Sequence, residues 1–149
     1  MIKATLETEP KYLTTNVIDQ HIQILDEPVS LGGNNQGPTP VQTVYSALAG
    51  CISMTIRMYA EKKRIPLKKV KVEIDASTEK VKADDKRFKE HPQMVHKGKV
   101  RFIHAVIEVF GDLSDNQIEK LDTIAGKCPV HRMLKNGSYI THETKHMKQ

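Results

Sequence analysis

The stretch 39-TPVQTVYSALAGCISMTIRMYAEKKR-64 decides the fold. Thr39 is placed to cap a helix, Pro40 stands at the first helical position, where its missing N–H costs nothing, and Gln42 completes a T-x-x-Q capping box. Apolar side chains then recur at Val41, Val44, Tyr45, Ala47, Leu48, Ala49, Cys51, Ile52, Met54, Ile56, Met58 and Tyr59. They cover the whole circumference rather than one stripe, which predicts a helix buried on most sides. The pattern turns polar at Glu61 to Arg64 and must stop before Pro66. About 25 residues at roughly 1.5 Å each give a rod of about 37 Å, long for a domain this size. The helix is therefore expected to be central and shared with a second subunit.

Upstream of it, 32-GGNNQGPTP-40 is too dense in Gly, Asn and Pro for a regular element, and residues 1–31 read as short strands, at Asn16–Ile18 and His21–Leu25 with a turn at Asp19 and Gln20. Downstream, Val70, Val72, Ile74 and Ala76 alternate with charged residues, as do Ile103, Ala105, Ile107 and Val109 within Lys99–Phe110, so each segment reads as a half-buried strand. The polar residues from Thr78 to Lys99 between them read as an ordered lid or a mobile hairpin extension. Ser114 and Gln117 repeat the capping box ahead of a helix ending at Gly126, and Pro129 opens a short helix through Leu134. Asn136-Gly137 turns the chain toward a last strand expected at Tyr139–Glu143.

The chain has 149 residues, 38% of them hydrophobic, which suits one domain over residues 1–149. The N-terminus lacks the apolar core of a signal peptide, and the longest charge-free apolar run, Val41–Ile56, falls short of the roughly 20 residues a membrane span needs. A soluble, cytoplasmic protein is expected, with no membrane partner. The net charge of +5 permits acidic partners, but three Phe, four Tyr and no Trp make a poor stacking surface. The basic residues therefore read as a solvated face, with no nucleic acid expected.

Only two cysteines occur, too few for a disulfide scaffold. Cys128 stands directly before Pro129, so its sulfur is expected at the positive end of the short helix, with His131 and Arg132 in the first turn. That position favours thiolate over thiol; the alternative is a cysteine that merely caps a turn. Cys51 lies deep in the long helix, where an inert core thiol is the plain reading. The small neighbours Ala47, Ala49 and Gly50 speak for a sulfur that another group can approach. A zinc site built from Cys128, His131, His142 and His146 has suitable ligand types, yet it would leave Cys51 unused and draw on a polar tail, so no metal is expected.

Two motifs, G-P-x-P opening the long helix with A-G-C near its middle, and 127-KCPVHR-132, resemble the OsmC/Ohr family of osmotically inducible and organic hydroperoxide resistance proteins. The resemblance implies an α+β fold with curved antiparallel sheets around a long central helix, in an intertwined homodimer with its active sites at the interface. It further implies a thiol-dependent peroxidase for organic hydroperoxides. Cys51 would be the peroxidatic thiol, Cys128 the resolving one, and an external dithiol the reductant, with no cofactor. Leu48, Ile52, Met54 and Met58 read as apolar walls for an alkyl group, and Gln42, His131 and Arg132 as supporting residues. The family's reductases pair the reactive cysteine with an N-terminal arginine and a glutamate in the first turn of the long helix. Here that turn carries Gln42, and no arginine precedes Arg57. The competing expectation is accordingly a family member without efficient peroxidase activity, binding a small apolar or thiol-reactive ligand at the dimer interface.

Overall fold

A computed structural model describes residues 1–82 and 84–147. The chain divides into two compact units, residues 1–47 and residues 48 onward.

The first unit is a three-stranded antiparallel sheet in the order β1 (Ile2–Leu6), β2 (Thr14–Ile18), β3 (His21–Leu25). Asp19 takes a left-handed backbone conformation, φ 51°, in the tight turn between β2 and β3. After β3 the chain enters the Gly- and Asn-rich stretch, whose conformation is fixed by one buried carboxylate. Asp26 is 2% exposed and accepts from the backbone N–H groups of Glu27 (2.8 Å), Asn34 (3.0 Å) and Gln36 (3.1 Å). These donors hold its carboxyl below the usual carboxylate range, the N–H of Gln36 foremost, against burial, which acts the other way. The glycines follow from the same close folding: a Cβ at Gly33 would collide with the backbone carbonyl of Glu27.

Helix α1 (Pro40–Lys63) begins where expected. Thr39 N–H donates to Gln42 Oε1 at 2.8 Å and Gln42 N–H donates to Thr39 Oγ1 at 3.2 Å, the reciprocal pair of a capping box. Its burial departs from expectation. Only Leu48, Ile52, Ile56 and Ala60 are buried, a single i, i+4 stripe, while Met54 and Met58 are 68% and 69% exposed. One chain supplies a packing surface for one face only.

In the second unit β4 (Leu67–Lys80) and β5 (Lys99–Gly111) form a long antiparallel pair. The two period-two patterns meet in register, Val70 opposite Val109, Val72 opposite Ile107, Ile74 opposite Ala105 and Ala76 opposite Ile103. β4 runs through Lys80, so the first residues of the polar stretch are strand, and the described residues between Lys80 and Lys99 form an excursion, with short 3-10 turns at Lys86–Phe88 and Pro92–Met94. Helix α2 (Asp115–Ala125) starts with the Ser114/Gln117 capping box, and α3 (Pro129–Asn136) continues two residues beyond Leu134.

The core of this unit joins the α1 stripe to Leu67, Leu121, Ala125 and Cys128, against the apolar faces of β4 and β5. Ile52, Ile56 and Leu121 are almost wholly buried, and each such side chain contributes about 1.5–3 kcal/mol through area removed from water. The strand expected at Tyr139–Glu143 is absent. Tyr139 and Ile140 are 97% and 83% exposed, and these residues pair with no strand.

Candidate functional site: a buried thiol beside a helical one

Cys51 and Cys128 are brought together. Cys51, half-buried on α1, packs against the cluster that contains Cys128, and the two thiols lie close together. Both are free thiols. Around Cys51 the helix is locally tied, with Thr55 Oγ1 donating to the Cys51 carbonyl at 2.7 Å and Ser53 Oγ to that of Ala49 at 2.9 Å. At Gly50 a Cβ would meet nothing within 4 Å, so open space remains beside the helix next to Cys51.

Cys128 is positioned by the break between α2 and α3. Its N–H donates to Ala125 C=O at 3.3 Å, and Pro129 then starts α3, leaving the sulfur as N-cap acceptor for the His131 N–H at 3.4 Å. The side chain is 0% exposed. The expectation that this location favours thiolate is corrected by the balance of forces. Burial pushes the Cys128 thiol up, its hydrogen bond to the Cys51 sulfur and the charge on an ionised Cys51 push it further, and the N–H groups of His131 and Val130 only partly offset them. Cys128 therefore keeps its proton. The helix N-terminus is present; desolvation outweighs it.

The supporting residues separate. Gln42 uses its side-chain oxygen in the capping box. His131 is half-buried and touches the pair through its backbone N–H. Arg132 is exposed and lines a shallow cleft of about 510 Å³ with Lys127 and Lys135. Arg57 is engaged elsewhere, donating to Glu61 at 2.9 Å and to the Leu67 carbonyl at 2.6 Å.

A cavity of about 660 Å³, of a size that suits a small organic ligand, is bordered by residues close in sequence to the two cysteines, although neither cysteine lines it. Ile52, next to Cys51, lines it, as do Gly126 and His131 on either side of Cys128. Leu48 also faces it; Met54 and Met58 do not. Sequence reasoning missed Phe88, Met94, Val100 and Phe102, which supply much of the apolar lining. Alternation in β5 could have flagged Val100 and Phe102, whereas nothing local marks Phe88 or Met94. Among the described residues no cluster of three His, Cys, Asp or Glu is placed to hold a metal ion, and no helix is long and apolar enough to cross a membrane.

An antiparallel α+β fold with a thiol from a long helix set against a thiol at the cap of a short one defines a class of protein. The OsmC-like protein family model matches residues 33–143, so the chain belongs to that family. Among solved structures it is similar to an OsmC-like protein from Mycoplasma pneumoniae, with 23% identity, TM-score 0.65, and 91% of this chain and 86% of that one covered. It is also similar to an organic hydroperoxide resistance protein OsmC from Legionella pneumophila, with 20% identity, TM-score 0.62, and 91% and 89% covered. At these identities the likeness is one of fold. No curated protein matches the chain.

Proposed function

We propose that the protein is a thiol-dependent peroxidase that reduces organic hydroperoxides through Cys51 and Cys128 as part of oxidative-stress defence. The observation that carries this reading is the closeness of the two thiols, one half-buried and one fully buried. The Cys51 thiolate attacks the terminal oxygen of the hydroperoxide, the O–O bond breaks, and the alkoxide takes a proton from water and leaves as alcohol. Cys51 is thereby oxidised by two electrons to a sulfenic acid. Cys128 then attacks that sulfur, an S–S bond forms, and the hydroxyl leaves with the Cys128 proton as water. An external dithiol reduces the disulfide by exchange and is itself oxidised to a disulfide.

The electrostatics of Cys128 suit this order. Two of the influences that keep it protonated, the hydrogen bond to Cys51 and the charge on Cys51, disappear once Cys51 is a neutral sulfenic acid, while the donors from His131 and Val130 remain. Oxidation of the first sulfur thus eases ionisation of the second. Leu48, Ile52 and the rest of the apolar cavity favour an alkyl or aryl hydroperoxide over hydrogen peroxide. The reading also takes the protein to be a cytoplasmic homodimer that closes the face of α1 bearing Met54 and Met58.

The test is stopped-flow reduction of cumene hydroperoxide by the wild type and by Cys51→Ser. A rate present in the wild type and abolished in the variant supports the reading. Equal, negligible rates overturn it in favour of a ligand-binding protein without peroxidase activity.

A further inference from the structure

Between Lys80 and Lys99 the described residues leave the β4–β5 pair and return, and the excursion is closed at its neck. Val81 N–H donates to Gly98 C=O at 2.9 Å, and His96 and Lys99 exchange backbone bonds at 2.8 and 3.0 Å. Within it a latch is built around one aromatic ring. Asp85 accepts the Arg87 N–H at 3.0 Å, capping the turn at Lys86–Phe88, and its two oxygens also take the guanidinium at 2.8 to 3.3 Å. Held this way, the guanidinium carbon lies 5.3 Å from the Phe88 ring centroid and 5.6 Å from that of Phe102. The two rings meet edge to face, with centroids 6.0 Å apart and planes at 67°.

An exposed ion pair on its own contributes little to stability. A two-oxygen clamp on a guanidinium stacked over two rings does something else: it fixes orientation, because the planar fork and the flat stack each accept few geometries. Phe102 is already fixed by β5, so the side chain whose position depends on the latch is Phe88. Phe88 and Phe102 both line the cavity that Ile52 and His131 also border.

We infer that Phe88, latched by Asp85 and Arg87 against Phe102, is the specificity-determining residue of this cavity and sets the length of the apolar group it admits. Arg87 and Asp85 act through it and are positioning residues. The inference rests on the preceding reading, in which the cavity receives the organic group of a hydroperoxide.

The experiment is kcat/KM for a series of primary n-alkyl hydroperoxides from butyl to dodecyl, read as ratios within each protein so that overall rate drops out. In the wild type kcat/KM should rise by about fourfold per methylene and stop rising where the chain reaches Phe88. In Phe88→Ala the rise should continue to longer chains, with Phe88→Leu intermediate. Arg87→Ala should extend it in the same direction without a change in melting temperature, and Arg87→Lys should fail to restore the wild-type limit. A length limit identical in wild type and Phe88→Ala would overturn the inference. A second arm separates it from the peroxidase reading: displacement of bound 1-anilinonaphthalene-8-sulfonate by n-alkanols of the same lengths. If no hydroperoxide is reduced, that reading fails and the displacement limit decides: a shift in Phe88→Ala upholds the role of Phe88, and no shift refutes it.

Discussion

Oxidising the protein with one equivalent of cumene hydroperoxide should raise its melting temperature, and by an amount that can be worked out. Cys51 and Cys128 lie close together in the folded chain but would close a loop of about 77 residues. Joining them removes loop-closure entropy from the unfolded ensemble, worth about 4.5 kcal/mol at 25 °C for a loop of that length. The unfolding entropy of a 149-residue chain is roughly 0.31 kcal/mol/K, so the full effect would be a shift of about 14 °C. Any strain needed to bring the sulfurs to bonding distance reduces it. The shortfall from 14 °C therefore measures that strain, and with it how readily a dithiol reopens the bond. The assay is thermal unfolding followed by circular dichroism of the oxidised and the dithiothreitol-reduced protein, with mass spectrometry after non-reducing digestion to locate the bridge. Cys51→Ser and Cys128→Ser should melt alike under both conditions. A bridge that forms between chains instead of within one, or an oxidised wild type that melts no higher than the reduced one, would refute the reasoning.

Two further outcomes follow from titratable groups. The Cys128 thiol is raised chiefly by burial, so its contribution to stability is complete below the unfolded value of about 8.5 and is lost as pH climbs through the higher folded value. Reduced wild type should therefore lose stability above about pH 8.5 more steeply than Cys128→Ala, with Cys51→Ser between them, as urea midpoints across pH 7 to 10.5 will reveal. Asp26 has the opposite sign: its lowered value contributes stability above about pH 3.9 that disappears as pH falls through the folded value. Asp26→Asn should abolish that acid dependence and expose residues 32–37 to limited proteolysis at neutral pH; equal cleavage of variant and wild type would count against the carboxylate as anchor of the loop.

Helix starts were the most legible part of the fold. Thr39 with Gln42 and Ser114 with Gln117 announce both capping boxes because a cap is made by residues three apart, and such contacts survive in the order of the letters. The β4–β5 register was legible in part, since two period-two faces must meet apolar side inward. The strand expected at Tyr139–Glu143 after the Asn136-Gly137 turn does not form, because a short segment needs a partner to pair with and the sequence does not say whether one will be there. Neither the meeting of Cys51 with Cys128 nor the wall at Phe88 is visible locally: each joins residues far apart in sequence, and the first emerged only from the likeness of two motifs. Which of the two readings of Cys128 holds was not legible for a related reason, because burial is a property of the packed chain.

That burial has a bearing on durability. A sulfur with no surface open to water does not meet dissolved oxidant directly, so irreversible conversion to sulfinic or sulfonic acid falls on Cys51 alone. In the proposed peroxidase cycle, the longer Cys128 waits to close the bridge, the more turnovers end in a dead first sulfur with an intact second one beside it. Loss of the protein under excess peroxide should therefore leave a one-sided chemical record.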